Sequence, residues 1–439
     1  MVSKVLSLAW QDLMYTLRVG LHSTVAKNAA SLYIIQSANY LLPLITVPYL
    51  VRALGPSEYG LVAFGQGLIA YFTIFSDYGF ALSATRKISL ERGDPRSVSR
   101  TATNVWASKA LLAVAGFILL LTAIISIPKL HETSILFIIL YGIVIGNVLF
   151  PTWLFQGMEK MLAISVINLV MQFLIMIGIF TLVHNPEDYI IYAGLISSGS
   201  ILSGLVGLIL ALSMFKVQPV IPSINDILET LKDGWMLFLS VASLSLYSAG
   251  NALILGLLTN TTVVGYYIVA ERIVKAIIVL TRPISSAAYP KFSKLSIDSR
   301  ALAVKWGQRL TFFLGSIGLI ISIAVILGAP TIIRIFLGSE FGPSIMVMRI
   351  LAIWIFIDAV TSTWGIQIML TFKYDRAFFA ISLVAGAINI ILALLFVPTW
   401  KEIGMALSVI LACVFVAIAQ ITILWTKGFN VLMGQYREN

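Results

Sequence analysis

The chain has 439 residues, of which 59% are hydrophobic and 11% charged, with a formal net charge of +10 and a mean hydropathy of +0.98. That balance excludes a soluble globular domain, and because the basic residues lie between the apolar runs, the positive charge is read as orientation in a membrane and not as nucleic-acid binding. The single Cys413 excludes an internal disulfide, no Cys/His metal spacing occurs, and His22, His131 and His184 all lie outside the apolar runs, which argues against a buried imidazole relay.

The chain opens with residues 1–29, in which no cleavable signal peptide is read. Val2, Val5, Leu6, Ala9, Trp10, Leu13 and Leu17 recur at helical spacing, with Lys4, Gln11, Asp12 and Arg18 on the other face. This predicts an amphipathic helix on the inner leaflet, with a dispensable extension as the alternative. Twelve apolar segments follow, each near the ~20 residues that cross a bilayer. They run over 30–51, 60–82, 103–127, 134–155, 162–183, 189–214, 234–258, 263–288, 309–329, 344–370, 377–397 and 403–426. The expected fold class is an all-α polytopic membrane protein. Its expected parts are a six-helix bundle over 30–214, a linker over 215–233, a second six-helix bundle over 234–426 and a tail over 427–439.

Loop charge sets the orientation. Arg86, Lys87, Arg92, Arg96 and Arg100 fall in one loop, Lys291, Lys294, Arg300 and Lys305 in another, and Lys373 and Arg376 in a third of the same parity. Cytoplasmic loops collect Lys and Arg, so both termini are expected in the cytoplasm. A repeat is read at an offset of about 205 residues, with Gly60, Gln66, Asp77 and Arg86 opposite Gly265, Glu271, Arg282 and Lys291. Six spans per half start both halves on the same side, which predicts parallel repeats about an axis along the membrane normal.

Charges inside hydrocarbon-length segments cost ~2.5–3.5 kcal/mol each on insertion scales and mark ion or substrate paths. Glu271, Lys275 and Arg282 fall on one helical face, with Arg272 to the side, and Glu271 and Lys275 are spaced to pair at i,i+4. The functional reading is a cationic stripe for phosphate; the structural reading is a self-neutralising pair. Lys109 is read either as a cavity residue or as a side chain reaching the headgroups. Asp77 is read either as a gate partner of Arg282 or as an interfacial cap. Asp358, near Trp354 and Trp364, is a candidate proton or ion site together with Glu271. Gln36, Asn39, Tyr247 and Asn251 offer polar groups along their spans, suited to sugar contacts or to helix association. Pro151 ends the fourth span in a bend, beside Asn147 and Trp153.

Several stretches resemble the Wzx-type bacterial polysaccharide flippases, relatives of the multidrug and toxic compound extrusion transporters. They are Asn39-Tyr40-Leu41-Leu42-Pro43, Leu54-Gly55-Pro56-Ser57-Glu58-Tyr59-Gly60, Asp77-Tyr78-Gly79-Phe80, Pro151-Thr152-Trp153-Leu154-Phe155-Gln156-Gly157 and Ala270-Glu271-Arg272-Ile273. The resemblance implies a multidrug-extrusion-like fold of two bundles facing across a basic vestibule. It implies a substrate of oligosaccharide linked through pyrophosphate to undecaprenol, carried from the cytoplasmic to the outer face of the bacterial inner membrane. Arg272, Lys275, Lys109 and Arg282 are the positions that fit the basic vestibule. A glycan polymerase and a chain-length regulator are the expected partners and no cofactor is expected; the sequence has no Gly-Lys-Ser/Thr phosphate loop for ATP, so drive by a proton or sodium gradient or by substrate asymmetry is expected. Two other classes compete with this reading. A drug or metabolite exporter on the same architecture would want an anionic or apolar cavity. A membrane glycan polymerase would want a large outward catalytic loop, whereas the outward loops here are short.

Overall fold

The computed structural model describes residues 24–218 and 220–436, with side chains described except those of 24–41, 43–44, 240–241, 243–249, 280–287, 289–291 and 298. The expected amphipathic helix over 2–17 therefore lies outside the described residues.

The architecture is helical almost throughout. In chain order the helices are α1 (Thr24–Asp77), α2 (Phe80–Glu91), α3 (Pro95–Ser126), α4 (Pro128–His131), α5 (Ser134–Leu140), α6 (Gly142–Leu149), α7 (Thr152–Gly157), α8 (Met161–Leu182), α9 (Tyr189–Phe215), α10 (Ile224–Leu258), α11 (Thr261–Asp298), α12 (Arg300–Ile332), α13 (Ser344–Ser362) and α14 (Asp375–Thr426). Every expected span falls mostly on helix, but the segmentation differs. The spans 30–51 and 60–82 share α1, which bends at Gly55 (φ 71°) ahead of Pro56, and 377–397 and 403–426 share α14, which bends at Lys401 (φ 48°) after Pro398. A proline removes one ladder donor and clashes with the preceding turn, so each bend follows the local sequence. The span 134–155 is instead cut into α5, α6 and α7. Among the described residues, eight helices are long and apolar enough to cross a membrane, the first and last counted together with their bends.

Several of these helices leave large apolar side chains exposed, the surface that a membrane-spanning protein turns to lipid. Only 11% of the most apolar window of α8 is buried, so that helix presents Leu174, Ile177 and Phe180 outward as lipid-facing surface. By packing, the chain divides into one unit of Leu41–Gly265 and another of Tyr266–Asn439 together with the start of the chain up to Tyr40. In the first unit, Phe80, Ala84 and Ile88 of α2 join Val98, Ala102 and Val105 of α3 and Trp153, Leu154 and Phe155 of α7 in one apolar core. In the second, Trp364, Ile368 and Met369, on a π-helical continuation of α13 over Thr363–Leu370, pack with Phe292, Ile381 and Leu424. A small antiparallel hairpin, β1 (Phe429–Asn430) with β2 (Gln435–Tyr436), closes onto this core through buried Phe429. Gln308 Nε2 holds it by donating to the Leu432 carbonyl at 2.7 Å.

Within the first unit, α1 and the start of α11 cross in near contact. A Cβ on Gly60 would stand 1.9 Å from the Thr261 carbonyl oxygen, and one on Gly265 would stand 2.1 Å from the Pro56 carbonyl oxygen. The contact is reciprocal: 56 and 261, like 60 and 265, stand at the offset of about 205 residues at which the sequence leads one to expect a repeat. Each glycine meets the residue four positions before its own counterpart, as a two-fold relation between the segments requires. Ser57 Oγ and Thr261 Oγ1 close the crossing at 3.1 Å.

Candidate functional site

Two charged clusters lie within the helical layers, one in each unit. The first is centred on Lys109 of α3. Its side chain is 2% exposed, and its Nζ donates to Asp77 Oδ1 at 2.7 Å, to the Asn147 backbone carbonyl at 3.0 Å and to Asn147 Oδ1 at 3.0 Å. An ammonium has three N–H donors, and all three are used.

The acceptors are set by local sequence. Asp77 is the last residue of α1, where Tyr78 (φ 45°) and Gly79 (φ 74°) enter the left-handed region and stop the helix. A Cβ on Gly79 would also lie 2.8 Å from the Phe238 backbone nitrogen of α10, so the turn is pressed against that helix. Asn147 precedes Pro151 by four residues. In a continuous helix its carbonyl would accept the N–H of residue 151, which proline lacks. Proline also disfavours helical backbone at the residue before it, and Phe150 is extended at φ −79°, ψ 108°. Lys109 takes the acceptor that the break exposes.

Beyond the break, α7 is tied to α2. Thr85 Oγ1 donates to the Trp153 carbonyl at 3.2 Å, Arg92 Nε to the Gly157 carbonyl at 2.5 Å, and Arg92 pairs with Glu159 at 2.8 Å. Trp153 packs edge-on to Trp106 of α3 with centroids 5.5 Å apart. On the linker into α10, Ser223 and Asp226 form a capping box, and Arg100 reaches Asp226 at 2.6 Å. The Ser223 hydroxyl first, then the Arg100 guanidinium and the Ser223 N–H, pull the Asp226 carboxyl down to about 2.

The second cluster is on α11. Glu271 Oε2 lies 3.2 Å from Lys275 Nζ, and Tyr267 donates its hydroxyl to Glu271 Oε1 at 3.1 Å. The carboxylate is enclosed, with 7% of its side chain exposed, whereas the Lys275 side chain is 37% exposed and sits at the edge. Its Nζ is 5.9 Å from the centre of the Trp354 ring of α13, within cation–π range. Asp358 is half-buried and one turn beyond Trp354, on the same face of α13. Arg272 is half-buried beside this turn. The arrangement offers an enclosed carboxylate, an accessible ammonium and an aromatic wall, chemistry that suits an anion at the rim and a cation or proton at the acid.

The two clusters bring together Glu271, Lys275, Asp358 and, beside them, Arg272 in one unit, and Lys109 with Asp77 in the other. The i,i+4 spacing of Glu271 and Lys275 anticipates their pair. The sequence offers Asp77 either Arg282 as a partner or a capping role; its partner among the described side chains is Lys109. Asn251 is buried within α10. The side chains of Gln36, Asn39, Tyr247 and Arg282 lie outside the described residues. Sequence reading misses Tyr267 and the role of Asn147, although both leave a signal: Tyr267 precedes Glu271 by four residues, and Asn147 precedes Pro151 by four. Among the described residues, no group of three or more His, Cys, Asp or Glu side chains gathers to hold a metal ion.

A family model described as "Polysaccharide biosynthesis protein" matches residues 25–296. The chain belongs to that family. A curated relative from Escherichia coli (strain K12), "Putative O-antigen transporter", is 30% identical over 88% of this chain and 93% of its own. A second of the same name, from Shigella dysenteriae, is 27% identical over 89% of this chain and 98% of its own. Among solved structures, "Lipid II flippase MurJ, inward closed conformation" superposes with a TM-score of 0.72 at 17% identity, covering 92% of this chain and 89% of that one. An inward-facing multidrug resistance MATE family transporter of the MOP superfamily gives 0.62 at 14% identity, covering 90% and 94%. These two share the fold. The family match and the two relatives bear out the resemblance to Wzx-type flippases read from the sequence motifs, and this member of the polysaccharide biosynthesis family is a multi-pass membrane protein.

Proposed function

We propose that the protein carries an undecaprenyl-pyrophosphate-linked oligosaccharide from the cytoplasmic to the outer face of the bacterial inner membrane by alternating access. The relatives named as O-antigen transporters and the fold shared with a lipid II flippase support the class of substrate. In this reading the chain forms twelve spans in two six-helix halves, with both termini in the cytoplasm, as the basic loops favour. The observation that carries the reading is the charged turn of α11. Lys275 stands at the edge of the helix with an aromatic wall at Trp354, and Arg272 flanks it. A pyrophosphate loses hydration on entering the membrane, and charge-assisted bonds from Arg272 and Lys275 replace it. Glu271, enclosed beneath Lys275, and Asp358, on the facing side of α13, are the acids proposed to couple the cycle to a proton or sodium gradient. The polyprenyl tail stays in lipid throughout. A glycan polymerase and a chain-length regulator would act on the product at the outer face.

The test is the double variant Arg272→Ala/Lys275→Ala in a deletion strain. Surface glycan should be lost and the lipid-linked intermediate should accumulate on the cytoplasmic side, with the variant present in the membrane at the native level. Normal surface glycan in that strain removes these cations from the mechanism.

A further inference from the structure

We infer that Lys109 is a positioning residue that repairs the helix broken at Pro151 and ties that break to the one at Asp77, and that it is not a ligand for the transported anion. The inference stands on the first unit alone, and only the transport readout of its test rests on the proposed cargo.

Three observations converge on it. The ammonium is saturated by Asp77 Oδ1, the Asn147 carbonyl and Asn147 Oδ1, so no N–H remains to meet a phosphate. The side chain is 2% exposed, and entry of a ligand would have to displace all three partners. One of those partners exists as a free acceptor only because residue 151 has no N–H to give it. In hydrocarbon an unmet backbone carbonyl is expensive, and broken membrane helices persist only where another group satisfies the freed backbone. Lys109 supplies the missing donor from the neighbouring helix, and its charge neutralises the carboxylate at the end of α1.

Both helices that Lys109 joins continue past their breaks as short pieces, α2 and α7, which bond to each other through Thr85 and Arg92. Lys109 therefore fixes where this pair starts. The positions of Asp77 and of the α2–α7 pair follow from one buried side chain.

The test exploits the backbone origin of the site. Lys109→Met alone leaves an unmet backbone carbonyl and a half-buried carboxylate without its cation, and folded, monodisperse protein in detergent should fall about tenfold. Adding Pro151→Ala gives residue 151 an N–H and frees Phe150 to be helical, so folded yield should recover several-fold. Adding Asp77→Asn as well removes the orphaned charge, and this triple variant should regain both folded yield and glycan transport in a deletion strain. A triple variant that folds but does not transport would show that Lys109 or Asp77 serves transport directly, and would overturn the inference. If the triple variant does not fold, the comparison of Lys109→Met with Lys109→Met/Pro151→Ala still decides: no gain from Pro151→Ala overturns it. These outcomes are independent of the Arg272/Lys275 test, which leaves the first unit untouched.

Discussion

Replacing Gly60 with alanine places a methyl carbon where no space exists. The Cβ would stand 1.9 Å from the Thr261 carbonyl oxygen and 2.6 Å from the Gly265 nitrogen, both backbone atoms that cannot rotate away. A carbon in contact with a carbonyl oxygen rests at about 3.3–3.6 Å, so the two segments would have to separate by more than about 1 Å at the crossing. Overpacking of this kind costs about 1–3 kcal/mol, or roughly five- to 150-fold in the folded equilibrium. Gly265→Ala meets the Pro56 carbonyl at 2.1 Å and should cost a similar amount. Because both methyl groups wedge the same crossing, the double variant should cost clearly less than the two single effects added together. Gly194 of α9 is the control: a Cβ there would meet nothing within 4 Å, and its alanine variant should be neutral or slightly stabilising. Thermal unfolding in detergent, followed by a size-exclusion readout, measures all four variants. A Gly60→Ala protein that melts with the native one, or strictly additive single effects, would refute the close reciprocal crossing.

Gly79→Ala should destabilise by about 1–3 kcal/mol, because φ there is 74° and the added carbon would press on the α10 backbone; thermal unfolding reads it. Tyr267→Phe removes one donor from the enclosed Glu271 and should cost about 1–3 kcal/mol in the same assay, more than Tyr→Phe at an exposed position. For Asp226, folding lowers the carboxyl from 3.8 to about 2, so its contribution is full above pH 4 and is lost as pH falls towards 2. Asp226→Asn should lower stability at neutral pH and remove that part of the acid dependence, leaving the profile between pH 5 and pH 8 parallel to the native one. An acid limb unchanged in the Asp226→Asn protein would contradict the assignment.

Much of the fold is written in local chemistry. A run of about 20 apolar residues must satisfy its backbone internally in lipid, and a helix does so within the segment. The bends are local too: Gly55-Pro56, Pro151 and Pro398 mark where a donor is missing. The pair of Glu271 and Lys275 needs only one helical turn to form, which is why spacing alone reveals it. Segmentation was less legible, because a bent helix and two helices differ by a few dihedral angles at one residue, as at Gly55 and Lys401.

What sequence by itself determined is therefore the class of protein, the positions of its helices and the motifs that place it among polysaccharide flippases. Only the tertiary structure decided which charges on different helices meet. Lys109, Asp77 and Asn147 come from three helices separated by dozens of residues, and no periodicity records which face of one turns to another. The crossing at Gly60 and Gly265 is of the same kind. A glycine signals that close approach is tolerated, but the partner backbone is chosen by the packing of whole helices, where small gains over large surfaces add up.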